Sequence, residues 1–278
     1  MINTRDNIKL WKDSGLFDGT EILQASCFEH SYPPHFHEEF VIAAFARGAQ
    51  KNRICRDIGV ATAGTVMVIH PGEIHTGEAF ERDKGWDYCA LYPSEKLLNK
   101  IADTTLKGHG YLHFGKRAMR YDQGLARQLI HTSSVLLTSD DILEKECALF
   151  GALSCLIHQY GKLSGDTTHR LYSRADIRDA IDYLQDMHDK KVSVKDVATA
   201  VGMSEFHFMR IFQATTGLSV HRYLTQIRLF RAKALLSQGV SAIETAHSAG
   251  FFDQSHLIKN FRSHFGITPG AYAAGCIA

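Results

Sequence analysis

The chain has 278 residues, 45% of them hydrophobic and 22% charged, with 31 Lys+Arg against 30 Asp+Glu. That length accommodates two domains, and the composition is that of an ordinary soluble globular protein. No apolar run approaches membrane-spanning length and the opening MINTRDNIKLWKDSGLF lacks the apolar core of a signal peptide, so no membrane partner is expected and the expected compartment is the cytoplasm.

The near-neutral total hides an asymmetry. Residues 1–169 hold 18 Lys+Arg against 21 Asp+Glu, whereas residues 170–278 hold 13 against 9. A basic C-terminal part suits phosphate contact, and an acidic N-terminal part should stay off a polyanion. The six cysteines (Cys27, Cys55, Cys89, Cys147, Cys155, Cys276) show no CxxC and no metal-type spacing, and read as thiols in a reducing compartment.

Residues 20–92 read as short strands. TEILQASCF, EEFVIAAFARG, TVMVIH and WDYCALY are rich in β-branched and aromatic residues, and Gly48, Gly59, Gly64 and Pro71-Gly72 punctuate them. Such spacing predicts a sandwich or small barrel. His35, His37 and Glu39 share one parity and would face one way on an extended strand, while His75 follows the turn HPGEIH. Trp86, Tyr88 and Tyr92 share a parity opposite to Cys89 and Leu91, an aromatic wall suited to a small-molecule pocket.

PHFHEEFVIAAFARG followed by AGTVMVIHPGEIHTG resembles the two motifs of the cupin barrel, in the form found as the ligand-sensing domain of AraC/XylS-type regulators. The candidate effector site is His35, His37 and His75, which match the motifs, with Glu39, Trp86 and Tyr88 from strand parity; the aromatic wall equally suits an ordinary barrel core. Metal-dependent cupins take two histidines from the first motif, an acidic residue a few places later and one histidine from the second. Here His35, His37 and His75 match the histidines and could hold a divalent transition metal, but the acidic position falls at Val41 or Ile42. No resident cofactor is therefore expected beyond the effector.

From Arg120 the period becomes helical. Leu125, Leu129, Ile130, Leu136 and Leu137 form one apolar series and Ile142, Leu149, Leu153, Leu156 and Ile157 a second, with Ser139 or Asp140 as N-cap between them. The expected layout is a barrel over 1–118, an antiparallel helical pair over 119–161, a linker over 162–173 and a helical domain over 174–275. In the resembled family such a pair joins sensor domains into a homodimer.

The C-terminal part says nearly the same thing twice. DVATAVGMSEFHFMRIFQATTGLSVHRY begins at Asp196 and ETAHSAGFFDQSHLIKNFRSHFGITPGAY at Glu244. Ala198, Gly202, Phe212, Gly217, Ser219 and Tyr223 recur as Ala246, Gly250, Phe261, Gly266, Thr268 and Tyr272; the offset grows from 48 to 49 past the glycine, so the second turn has an extra residue. Helix, glycine turn and helix is the pattern of a helix-turn-helix. Seven helices are expected, and the one between the motifs, about 27 Å long at 1.5 Å per residue, would set the two reading helices about one turn of B-DNA apart.

Residues 174–275 resemble the DNA-binding domain of the AraC/XylS family throughout, most closely in DQSHLIKNFRSHFGITPGAY. The resemblance implies base contacts from Phe206, Met209 and Arg210 in the first reading helix and from Gln254, Ser255, His256 and Lys259 in the second. Arg262, Arg222 and Lys195 are phosphate candidates. Phe206 and Met209 could instead extend the core, and His256 could stabilise its helix.

The expected fold class is thus α+β in two domains, a cupin-like barrel with a helical hairpin and an all-α domain with two helix-turn-helix motifs. The function expected is a sequence-specific transcriptional regulator of promoter DNA, acting with RNA polymerase under control of a small molecule and without enzymatic activity. The alternative is a metal-dependent cupin enzyme tethered to DNA.

Overall fold

The structure is a computed structural model that describes residues 6–17, 19–55, 57–106, 110–164 and 174–277. Its contacts divide the chain into two compact units. Tyr32–His35 is counted with the second unit, and Gly275 onward with the first.

The first unit is built on β-strands: β1 (Asn7–Asp13), β2 (Glu21–Cys27), then, past the separately counted β3 (Tyr32–His35), β4 (Val41–Ile54), β5 (Asp57–Thr62), β6 (Thr65–Ile69), β7 (His75–Ala79) and β8 (Trp86–Tyr92). Helix α1 (Glu95–Thr105), β9 (Tyr111–His113) and β10 (Met119–Tyr121) lead to α2 (Gln123–Thr138) and α3 (Ile142–Tyr160). β11 (Lys162–Ser164) pairs with β9, and β12 (Cys276–Ile277) lies parallel to β1.

Strand β4 organises this unit. Val41 to Gly48 pairs with β6 and β8, and Ala49 to Ile54 pairs with β5 and β7. A register shift between Phe45 and Arg47 lets one strand serve two sheets, as bulges do where a sheet must bend. At the bend Gly48 has φ 68°, and a Cβ there would lie 2.0 Å from the Gly85 carbonyl oxygen. The result is a cupin-like barrel that does not close into one continuous sheet.

The helices cover one sheet face. Leu97, Leu98 and Ile101 of α1, Leu129 of α2 and Leu153 of α3 pack with Ile22, Ile42, Val68, Cys89 and Leu91. Burying each large aliphatic side chain contributes about 1.5–3 kcal/mol. Cys89 and Leu91 face the helices, so the opposite parity of β8 belongs to the barrel side, as their alternation predicts.

Several local expectations need correction. His35 and His37 do not share a strand: β3 ends at His35, residues 36–40 leave the extended path, and β4 begins at Val41. The turn holds this break, because the His37 carbonyl accepts the Gly72 N–H at 2.8 Å. The N-cap of α3 is Asp141, whose carboxylate accepts from the N–H groups of Leu143 and Glu144, while Ser139 closes α2. Ile142 and Leu137 are exposed. Residues 162–164 belong to β11, and the remainder of the expected linker, 165–173, lies outside the described residues.

The second unit contains the seven expected helices: α4 (Ala175–Asp186), α5 (Val194–Ala200), α6 (Glu205–Thr216), α7 (Val220–Ser237), α8 (Ala242–Ser248), α9 (Gln254–Phe265) and α10 (Pro269–Gly275). The repeat is a packing repeat. Phe212 of α6 meets Tyr223 with ring centroids 5.4 Å apart, and Phe261 of α9 meets Tyr272 at 5.7 Å. Both reading helices end on a left-handed glycine, Gly217 and Gly266, whose own N–H closes the last turn on the carbonyl of Gln213 or Arg262.

The two turn glycines differ. A Cβ on Gly202 would meet nothing within 4 Å, whereas one on Gly250 would lie 2.3 Å from the His188 carbonyl oxygen. Arg228 of α7 donates to the carbonyls of His188 and Lys190 at 2.8 and 2.9 Å, so that loop cannot retreat without breaking both bonds. Gly202→Ala is expected to cost about 1–2 kcal/mol from left-handed strain alone, and Gly250→Ala about 2 kcal/mol more from overpacking. Urea unfolding of the two variants checks this; equal costs would show that the loop yields.

Candidate functional site

The two helix-turn-helix motifs are built alike. Ser193 and Ser241 cap α5 and α8, accepting from the N–H groups of Asp196 and Glu244, and each acid bonds back to its serine. In the turns Gly202 N–H donates to Thr199 and Met203 N–H to Ala198; Gly250 N–H donates to His247 and Phe251 N–H to Ala246. The caps of the reading helices are Ser204 and Asp253.

Burying Phe208 and Phe212 on α6, and Leu257, Phe261 and Phe265 on α9, turns the other faces outward. Phe206 is 85% exposed and Met209 37%, so neither extends the core. Arg210 is exposed too, its guanidinium 3.5 Å from His207 Nδ1. On α9, Gln254, Ser255, His256, Lys259 and Arg262 are all exposed, as are Lys195 and Arg222 elsewhere.

His256 has a structural task. Its backbone N–H donates to the Asp253 carboxylate at 2.7 Å, its ring stands edge-on to Phe251 at 5.4 Å, and its Nδ1 accepts the Phe252 N–H at 3.5 Å. Phe252, 92% exposed, is a candidate that the motif positions alone do not supply, although the extra residue in the second turn is its signal.

In the first unit, Trp86 is fully buried and its indole Nε1 has no hydrogen-bond partner among the described residues. Such an orphan donor is uncommon and calls for a reason. The half-buried Tyr88 ring stacks between Phe45 at 5.5 Å and Trp86 at 6.4 Å. Farther along, His37 stacks on His75 at 5.2 Å and meets Tyr92 at 5.0 Å. His75 Nδ1–H donates to the Glu73 carbonyl at 2.9 Å. Burial pushes the Tyr92 phenol well up, with Glu21 and Glu39 adding to it. Glu39 is half-buried; His35, counted with the second unit, is buried, with its Nδ1–H on the Pro33 carbonyl at 2.7 Å.

Gln50 and Asn52 are buried amides of β4 beyond Gly48, where the glycine signals a strand end and so hides them from a sequence reading. The positions where a cupin metal takes its carboxylate hold the buried aliphatics Val41 and Ile42. The four-ligand set is therefore incomplete. A cavity of about 270 Å³ opens beside the β1, β2 and β8 strands, lined by Lys9, Gln24, Ser26, Asp87, Tyr88 and Ile130 of α2 among others. Cys89, also at that cavity, has its thiol pushed up to about 12 by burial and is unreactive.

Comparison with known proteins covers both units. A family model described as "AraC-like ligand binding domain" matches residues 19–153, and one described as "Helix-turn-helix domain" matches residues 197–275. The HTH-type transcriptional regulator YbfI of Bacillus subtilis is 26% identical over 81% of each chain. The Msm operon regulatory protein of Streptococcus mutans is 24% identical over 87% of each chain. Among solved structures, ToxT of Vibrio cholerae with an unsaturated fatty acid bound superposes with a TM-score of 0.55 at 14% identity, over 98% of this chain and 95% of that one.

Burial pulls the His75 imidazole from 6.5 down to about 4, against the weaker pull of the Glu73 carbonyl and carboxylate. The unfolded chain therefore binds a proton that the folded one refuses between those values. The stability from neutral His75 is complete above pH 6.5 and is lost as pH falls toward 4, by about 3 kcal/mol at most. Urea unfolding at pH 7 and pH 4.5 should show a smaller pH-dependent loss for His75→Gln than for the parent chain; identical losses would refute the assignment.

Proposed function

The chain belongs to the AraC family of transcriptional regulators, with an AraC-type ligand-binding domain ahead of its helix-turn-helix DNA-binding domain, and from that premise we propose which residues read the promoter and which sense the effector. DNA reading is carried by the outward set on the two reading helices. Arg210 donates two hydrogen bonds to guanine O6 and N7, and Gln254 pairs with adenine. Phe206 and Met209 touch thymine methyl groups; Ser255 and Lys259 complete the base contacts, His256 orders the helix start, and Arg262 holds phosphate.

The effector site is proposed at Trp86, Tyr88, His37, Glu39 and His75, with the orphan Trp86 Nε1 as the observation that supports a ligand acceptor there. The ToxT ligand is a fatty acid. Here Glu21 and Glu39 lie near Tyr92, while the half-buried Arg120 lies over Tyr160 and Lys145 is paired with Asp13. A buried carboxylate would lack a counter-charge, so we assign a neutral hydrogen-bonding effector.

The protein acts as a regulator rather than an enzyme: its relatives are regulators, and the carboxylate of the cupin metal set is replaced by aliphatics. A homodimer is supported by exposed Leu143, Cys147 and Phe150 along one face of α3, an apolar stripe that a second copy would cover. RNA polymerase is the partner that transcriptional control requires. The free thiols suit the cytoplasm, and among the described residues no helix is long and apolar enough to cross a membrane.

Arg210→Ala should weaken binding to a selected duplex by about 10-fold or more, since one bidentate base contact is worth about 1–3 kcal/mol, while leaving the melting temperature unchanged. Undiminished discrimination in a gel-shift series would remove Arg210 from the reading set. A thermal-shift screen of neutral polyols, amides and carboxylates should find stabilisation of about 3 kcal/mol at a hundredfold excess over Kd for a neutral compound, lost in Trp86→Phe. A response confined to carboxylates would overturn the neutral assignment.

A further inference from the structure

The second turn differs from the first by one residue, and the hydrogen bonds locate it. Gly202 and Met203 correspond to Gly250 and Phe251, because each pair makes the same two bonds back to its support helix. Ser204 and Asp253 correspond as caps. Between Met203 and Ser204 there is nothing, whereas between Phe251 and Asp253 stands Phe252. The inserted residue is therefore Phe252.

The two adjacent phenylalanines have opposite fates. Phe251 is buried at 5% exposure, as the core role of this position demands, and Phe252 is 92% exposed, the most exposed of the large hydrophobic side chains described. It is nevertheless held. Its N–H is bonded to His256 Nδ1, whose ring rests on Phe251 and whose own N–H is bonded to the cap. An insertion tied down in this way presents its side chain from a fixed backbone at the mouth of α9.

The surroundings indicate what that side chain meets. Gln254, Ser255 and His256 come next in the first turn of α9 and Lys259 one turn later, all exposed. The acid beside it, Asp253, is engaged as the cap. The surface around Phe252 is thus polar to basic, with one large apolar group at its edge. The N-terminal residues of a reading helix approach base edges in the major groove, where the apolar feature is the thymine methyl.

We infer that Phe252 is a specificity-determining residue that packs on a thymine methyl group in the half-site read by α9. The inference rests on the proposed DNA reading by α6 and α9. It also makes the two motifs unequal. The first has no residue at this place and offers Phe206, on its second helical position, while the second offers Phe252 from ahead of its cap. His256 is the positioning residue that fixes the inserted turn.

The test uses the full chain. A preferred duplex is first selected from a random pool with the parent protein; failure to select any would sink the DNA-reading proposal itself. Dissociation constants are then measured for the parent, Phe252→Ala and Phe252→Tyr on that duplex and on versions with single thymines replaced by deoxyuridine, which removes only the methyl. The expected results are a loss of about 5- to 20-fold for Phe252→Ala, partial recovery in Phe252→Tyr, and one thymine whose demethylation weakens the parent about 3-fold or more but leaves Phe252→Ala unaffected. Because the side chain is exposed, circular dichroism and melting should match the parent. Unchanged binding by Phe252→Ala, equal sensitivity of both proteins at every thymine, or a loss only of transcriptional activation would each overturn the inference, the last by assigning Phe252 to a protein partner.

Discussion

The helical unit depends on one half-buried cation. Arg228, near the middle of α7, donates to the carbonyls of His188 and Lys190 just beyond the end of α4, and the loop that it holds lies directly on Gly250. Three elements meet there: the helix that opens the unit, the helix that joins the two motifs and the turn of the second motif. An arginine suits the task because its planar fork stays charged and can bond two carbonyls at once. Those carbonyls lie past a helix end, where main-chain acceptors otherwise lack partners. The second reading helix takes its orientation from this arrangement, since its cap comes three residues after Gly250.

The repeat is held together by different means in its two copies. Both share the cap chemistry, the turn bonds and the Phe–Tyr pair that ties each reading helix to the next helix in the chain. Only the second turn is pressed against another loop, and only the second carries an inserted residue. The two motifs thus share a packing geometry and differ on the exposed surface, which is where specificity for two unlike half-sites can arise.

The sensing unit obeys another logic. Its helices and outer sheet face form a largely aliphatic core, while the barrel side holds aromatic rings, two amides and histidines, of which His75 is kept neutral by burial. Buried polar groups of this kind are tolerated when each has a partner. Among the described residues Trp86 Nε1 has no such partner, and neither do Thr20 Oγ1, Arg120 Nη1 and Ser154 Oγ; Trp86 differs in lying at the end of an aromatic stack. The same low polarisability that pulls His75 down and pushes Tyr92 up makes the interior hostile to a bare charge.

Much was legible because much was local. The seven helices of the second unit, the serine caps, the left-handed glycines and Pro269 at the start of α10 arise from periodicity and backbone preference within a few residues. The cupin motifs and the parity of Cys89 and Leu91 were legible for the same reason. Helix α1, absent from the expected layout, also carries a local signal, with Ser94 as cap and Leu97, Leu98 and Ile101 at helical spacing. The tertiary structure decided matters of another kind. That Phe206 and Met209 face outward could not be told from their chemistry, because apolar residues on a short helix serve a core or a partner equally well until the neighbours are placed. That His35 and His37 lie on different segments goes with a bond from a turn some 35 residues away. Sequence by itself determined the doubled reader and its sensor, since these are written in local patterns. Which side chains are buried, orphaned or presented was decided by packing between segments distant in the chain, and Phe252, visible in the sequence only as a change of offset, acquires its meaning there.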